Sequence, residues 1–157
     1  MRDLRVEWHW VPSRTRRLKA AARNLAYPRE HFKSDADFFF FTHLDPVQRF
    51  WHVLGFLLSF LFFPTSIAAF IHHSVTRGIA LWATGVFCFY GFGFISHRLY
   101  DGGTGATRPR LFLTSIPWAL RLNWLTLRTS HFRRQLVEFA ARYPFTVSAW
   151  EMRSKDV

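Results

Sequence analysis

The stretch that decides the fold is "FWHVLGFLLSFLFFPTSIAAFIH", residues 50–72, which contains no Asp, Glu, Lys or Arg. At about 1.5 Å per residue, a helix of this length spans the roughly 30 Å hydrocarbon core of a bilayer. A second uncharged stretch, "GIALWATGVFCFYGFGFIS", follows at residues 78–96. The short connector 73–77 predicts an antiparallel transmembrane hairpin. A buried hairpin of a soluble domain is the alternative, and two uncharged runs of this length make it the less favoured one.

Positive charge is concentrated on both sides of the hairpin. The chain carries 21 Lys and Arg against 10 Asp and Glu, a formal net charge of +11. Between Phe50 and Ser96 the only charged residue is Arg77. By the positive-inside rule, both termini are predicted on the positive side of the membrane, the cytosol or the mitochondrial matrix. Because this pattern accounts for the charge, no nucleic acid partner is predicted.

The predicted fold class is all-α, a polytopic membrane protein with three regions. Residues 1–41 form a basic N-terminal arm with an amphipathic helix, residues 42–127 the membrane domain, and residues 128–157 an amphipathic C-terminal helix and tail. The segment 13–27 is rich in Arg and lacks acidic residues, so it resembles a mitochondrial targeting helix.

The apolar segment 111–127 has three possible placements. It is interrupted by Pro117, Arg121 and Asn123. A third span, a re-entrant segment and an interfacial helix are the alternatives. An arginine in the middle of a span is costly, which favours an interfacial or partly buried helix.

The hairpin brings four polar residues into one neighbourhood. The midpoint between His52 and His97 falls inside the connector 73–77, so the two residues are predicted at the same depth. His43 precedes the first span on the same side, and Asp101 lies one helical turn after His97. Imidazoles with a carboxylate suit a non-haem iron or zinc site acting on a lipid headgroup or acyl-chain end. The alternative is that interfacial histidines cap helix ends and bond headgroups, and spacing alone favours that alternative.

Two stretches around these residues resemble the signatures of a known family. "HLDPVQRFWHVLGF" (43–56) resembles a His-x-Asn-Pro-x-Asn-Arg start that leads into an apolar helix. "SHRLYDGGTGATRP" (96–109) resembles a Gly-His-x-x-x-Glu turn that leads to Arg-Pro. The family is that of the small membrane 2-hydroxy fatty acid dioxygenases, and the similarity covers about residues 42–125. It implies a multi-helix membrane protein with iron-dependent α-oxidation of 2-hydroxy fatty acids from sphingoid-base breakdown, as in the fungal type.

The resemblance implies a set of iron ligands or their close supports. They are three histidines and a carboxylate: His43, His52, His97 and Asp101. Asp101 stands where the family has Glu, Asp45 and Gln48 replace two asparagines, and Ser96 replaces a glycine. Such changes affect the groups that orient metal ligands.

These departures favour a non-catalytic accessory or structural subunit of a membrane protein complex. The mitochondrial inner membrane is the favoured location and the endoplasmic reticulum the alternative. In this interpretation no cofactor is bound, and the partners are other subunits and anionic phospholipids. The basic residues expected to contact lipid are Arg49, Arg98, Arg108 and Arg110. The alternative function is an Fe²⁺-dependent dioxygenase acting on 2-hydroxy fatty acids, and a third, less favoured one is a monomeric membrane-surface protein without metal.

Overall fold

The computed structural model describes residues 14–104 and 111–146. Their α-helices are α1 (Arg14–Ala26), α2 (Asp35–Thr42), α3 (Pro46–Ile71), α4 (Val75–Tyr100), α5 (Ile116–Leu127) and α6 (Thr129–Arg142). A single 3-10 turn, Arg29–His31, lies between α1 and α2. No strand occurs within these two ranges, and their all-α class is confirmed.

Helices α3 and α4 form the predicted antiparallel hairpin. The segments Gln48–Ile71 and Val75–Tyr100 are each long and apolar enough to cross a membrane. Only 28% and 22% of their most apolar windows are buried inside the chain. The core helices of a soluble protein would be mostly buried, so this exposure favours membrane association over the soluble alternative. Because α4 continues past the apolar run to Tyr100, His97 lies inside a helix.

The two long helices approach closely at a glycine. A Cβ at Gly55 would lie 2.7 Å from the Cβ of Phe92, and it would also meet the backbone carbonyl oxygen of Cys88. Glycine therefore sets the distance between α3 and α4 at this level. Near the turn, Ser66 Oγ donates a hydrogen bond to the carbonyl of Gly78 at 2.9 Å, which joins the helices at their other end.

Helices α2, α5 and α6 surround an aromatic core beside the hairpin. Its buried residues are Phe32, Phe39, Phe41, Leu44, Ala119, Leu122, Phe132, Leu136, Phe139 and Tyr143. The four phenylalanines 38–41 belong to the α2 helix, and they pack into this core.

Helix α6 is amphipathic, as predicted. Its apolar positions Phe132, Leu136 and Phe139, together with Tyr143 directly after the helix, face the chain's own core. This face is therefore buried inside the chain and does not contact a membrane surface or a partner.

Helix α5 is too short for a third span. It has 12 residues, which corresponds to about 18 Å against a hydrocarbon core of roughly 30 Å. Arg121 is exposed on it, whereas Asn123 is buried. The interfacial and re-entrant placements of α5 stay predictions.

Candidate metal centre

Three histidines meet where α2, α3 and α4 converge. His43 directly follows α2, His52 lies near the start of α3, and His97 lies in the last turn of α4. All three are buried, and one ring nitrogen from each lies within 4.8 Å of the others. The structure thus brings them together as the hairpin geometry predicts. Their role as metal ligands stays a prediction.

The ring of His43 is fixed by α2. Its Nδ1 lies 2.6 Å from the carbonyl oxygen of Phe39, and the two rings stack with centroids 4.0 Å apart. A carbonyl oxygen only accepts, so Nδ1 carries the hydrogen and Nε2 keeps its lone pair. Burial lowers the pKa of His43 well below its usual 6.5, and the nearby His52 and His97 lower it further. His43 is therefore neutral at pH 7 and able to bind a cation.

The ring of His97 is held in the same way by Asp101. The Nδ1 of His97 lies 3.0 Å from Oδ2 of Asp101. In the tautomer that donates its Nδ1 hydrogen to this carboxylate, Nε2 of the neutral ring offers a lone pair. The amide nitrogen of Gln48 contacts the same Nδ1 at 2.5 Å, and it also donates to Oδ2 of Asp101 at 3.3 Å. Gln48 and His97 therefore share that carboxylate oxygen.

Two lone pairs consequently face each other. The Nε2 atoms of His43 and His97 are 3.1 Å apart. Two acceptors at this distance repel unless a cation lies with them, either a shared proton or a metal ion. His52 separates these cases, because its buried Nε2 has no hydrogen-bond partner. A proton shared by His43 and His97 leaves His52 outside the pair, whereas a metal ion bound by all three rings would use one ring nitrogen of His52.

The donor set fits a divalent transition metal. Three neutral imidazoles are a known ligand set for Zn²⁺, and imidazole also suits iron. Asp101 does not belong to the three residues whose ligand atoms converge, because its carboxylate contacts Nδ1 of His97, the ring nitrogen that faces away from the cluster. Of the two roles that the resemblance implies for this set, ligand or close support, the contact of Asp101 corresponds to the second. Its role in the structure is to orient the ring, as carboxylates behind metal-binding histidines commonly do.

Asp101 is fixed by the turn that ends α4. The backbone N–H of Gly103 donates to Oδ1 of Asp101 at 2.9 Å. Gly102 and Gly103 have φ angles of 67° and 88°, in the left-handed region that favours glycine. The glycines of this stretch therefore shape the turn that presents the carboxylate.

Sequence reasoning missed two contacts of this site. Asn24 of α1 donates to Oδ2 of Asp101 at 3.1 Å. The hydroxyl of Tyr100 donates to the carboxylate of Asp45. No local pattern marks Asn24, because it lies 77 residues from its partner in a segment that resembles a targeting helix.

A cavity opens beside the histidine cluster. It measures about 80 Å³ and is lined by Phe39, His52, Phe89, Tyr90, Gly93, Phe94, His97, Phe112, Ser115 and Ala119. Phe94 and Phe112 are also exposed on the outer surface. The cavity thus connects that apolar surface to His52 and His97. The absence of a side chain at Gly93 matters here, since a Cβ would lie 2.7 Å from Cε1 of His52.

The four arginines expected to contact lipid have different placements. Arg49 is only 1% exposed, and its guanidinium lies 3.8 Å from the ring centroid of Phe132 in α6. This corrects the expectation of a lipid contact, because the cation is used inside the chain. Arg98 is exposed on α4, where a lipid contact stays a prediction. Arg108 and Arg110 lie outside the described residues.

Comparisons of the chain with protein-family models, with curated proteins and with solved structures find no match. The resemblance to the dioxygenase family stays a prediction, and the geometry of the three histidines carries the functional proposal.

Proposed function

We propose that the protein is a membrane metalloenzyme whose histidine cluster, His43, His52 and His97, binds iron and oxidises a lipid. The observation that carries the proposal is the convergence of the three rings: Nε2 of His43 lies 3.1 Å from Nε2 of His97, and the buried Nε2 of His52 has no hydrogen-bond partner. Iron held by these three imidazoles would supply oxygen-dependent oxidation. The sequence resemblance adds the substrate class, a 2-hydroxy fatty acid.

The chain's own residues supply binding and orientation. Phe39 and Asp101 hold the Nδ1 hydrogens of His43 and His97, so both Nε2 atoms point inward. The aromatic cavity admits one end of an apolar chain and excludes water from the cluster. Since the exposed Phe94 and Phe112 stand at its mouth, the substrate enters from the lipid phase.

The proposal places α3 and α4 across a membrane. The largely exposed apolar surfaces of both helices support this placement. The histidine cluster then lies at one membrane boundary, on the side of both chain termini. The charge distribution favours that side as the positive one, with α5 at the interface and the mitochondrial inner membrane as the location.

Metal analysis of the purified full chain tests the proposal. Protein reconstituted with Fe²⁺ without oxygen should hold about one iron per chain, and H52A and H97A should each lose it. The matched control is H72A, which changes an exposed histidine at the turn of the hairpin. Oxygen consumption with a 2-hydroxy fatty acid then tests the substrate. A wild-type chain without metal, or full iron in H52A, would overturn the metal centre.

A second candidate is the non-catalytic subunit of a membrane complex. The observation that favours it is the size of the cavity, since about 80 Å³ holds few atoms of a fatty acid. In that case the partners are other subunits and anionic lipids on the exposed apolar and basic surfaces. Purification in mild detergent distinguishes the candidates, because this one predicts a fixed set of partner chains and no iron.

A further inference from the structure

Helix α1 carries two buried polar side chains at the end of α4. Arg23 is 8% exposed and Asn24 is 4% exposed. Ala20, on the same helix, packs against Tyr100. Arginine and asparagine are rarely buried unless they have partners. A basic helix that only met solvent or lipid headgroups would not bury these groups.

The amide of Asn24 is engaged at both ends. Its Nδ2 donates to Oδ2 of Asp101 at 3.1 Å and to Oγ1 of Thr104 at 3.2 Å. Its Oδ1 accepts from the guanidinium of Arg23, with Nη2 at 3.2 Å and Nε at 3.3 Å. A guanidinium only donates, so this network fixes which end of the amide faces Asp101.

The same carboxylate oxygen receives Asn24 and the histidine cluster. Oδ2 of Asp101 lies 3.1 Å from Asn24 Nδ2 and 3.0 Å from His97 Nδ1. On the other side of the ring, His97 Nε2 faces His43 Nε2 at 3.1 Å. A rotation of the Asp101 carboxylate would therefore remove the acceptor that keeps the hydrogen on Nδ1 of His97 and leaves the lone pair of Nε2 directed inward.

We propose that Asn24 is a positioning residue for the histidine cluster: it holds the carboxylate of Asp101, which holds the ring of His97. Helix α1 then contributes a positioning residue to the site. The effect of Asn24 on metal affinity rests on the metal centre proposed above, whereas the orientation of His97 is a property of the metal-free chain. The two are tested separately.

The first experiment measures the tautomer of His97 without metal. The full chain, labelled with ¹⁵N-histidine in detergent micelles, should show His97 with its hydrogen on Nδ1. In N24L, which keeps the size of the side chain and removes its donors, we expect a mixture of both tautomers. L25A is the matched control, since Leu25 is 70% exposed on the same helix, and it should match the wild type. Identical His97 signals in folded N24L and wild type would overturn the proposal.

The second experiment is a double-mutant cycle with Co²⁺ as the probe. D101A should weaken Co²⁺ binding by about 10- to 100-fold, as the loss of an outer partner of a ligand does. N24L should weaken it by about tenfold in the wild-type background and have no further effect in D101A. Independent, additive losses would show that Asn24 acts elsewhere and would overturn the proposal.

The two experiments distinguish a failure of the proposed metal centre from a failure of the role proposed for Asn24. If the wild type binds no Co²⁺ or iron, the proposed metal centre fails, and the ¹⁵N experiment still decides the role of Asn24. If N24L does not fold, N24A replaces it in both experiments, because a smaller side chain removes the same donors without adding bulk.

Discussion

The two ends of the α3–α4 hairpin are made from the same helices and have opposite surroundings. At the turn end, residues 60–85, large apolar side chains such as Phe60, Leu61 and Trp82 are exposed. At the site end, the polar side chains of His52, His97 and their neighbours are buried under other helices. The turn end needs only apolar surface and small residues at the contact. The site end depends on particular atoms, so sensitivity to side-chain chemistry should be concentrated there.

The largest loss of metal affinity is expected from the addition of a single methyl group at the site end. In G93A the added Cβ would lie 2.7 Å from Cε1 of His52, inside the van der Waals distance, and would displace that ring. We expect metal affinity to fall by about 100-fold or more. The measurement is metal content of the purified chain, together with helix content by circular dichroism.

The matched control for this change is G91A on the same helix. Its Cβ would lie 3.1 Å from the ring of Phe87, which is exposed and free to rotate. Metal content should stay at the wild-type level. Full metal binding by G93A would mean that the position of His52 is unimportant for the cluster.

The next effect compares two helix contacts along the hairpin. In G55A the added methyl group meets backbone of α4 and the Cβ of Phe92, which cannot move independently. Overpacking of this kind costs about 1–3 kcal/mol of unfolding free energy. In G85A the methyl group meets only the ring of Phe63, at 2.7 Å, and the ring can turn away. Unfolding in mixed micelles should show a clearly larger loss for G55A. Equal losses would contradict a rigid contact at Gly55.

A smaller effect concerns the buried arginine. R49K keeps the charge and removes the planar guanidinium that lies over Phe132. We expect the unfolding free energy to fall by about 1–2 kcal/mol. R98K, at an exposed position of α4, should leave it unchanged within about 0.5 kcal/mol. Thermal unfolding of both variants checks the difference, and an unaffected R49K would place Arg49 outside the folded core.

The smallest effect is expected at the turn end. Leu61 is 62% exposed. On the proposed membrane placement, L61V changes one apolar side chain for another in contact with lipid. We expect less than about 0.5 kcal/mol in the unfolding free energy and no change in metal content. A loss above about 1 kcal/mol, measured in the same micelles, would show that this surface packs on something other than lipid.

The sequence predicts the hairpin and the meeting of its histidines for a simple physical reason. A helix rises by a constant amount per residue, so residues equally far from the connector, such as His52 and His97, must lie at one level. The uncharged stretches predict which residues form the two helices. The two uncharged spans and their short connector therefore predict that His52 and His97 meet.

Other features depend on tertiary packing that no local pattern carries. Arg49 stands beside an apolar run, a position typical of a membrane interface, yet α6 covers it with Phe132. Asp101 lies one turn from His97 and is predicted near it, but the orientation of its carboxylate depends on α1. The Asn24 contact joins distant parts of the chain, so it follows only from how the helices dock.

Asn24 is synthesised 77 residues before its partner Asp101, which sets an order for biogenesis. On the proposed membrane placement, α1 stays on one side of the membrane while α3 and α4 are inserted, and it docks only after the end of α4 has been made. Binding of the proposed metal ion would then follow insertion and depend on correct topology. A chain inserted with α1 on the opposite side, or shortened by removal of this helix, would contain every histidine and still lack a properly arranged site.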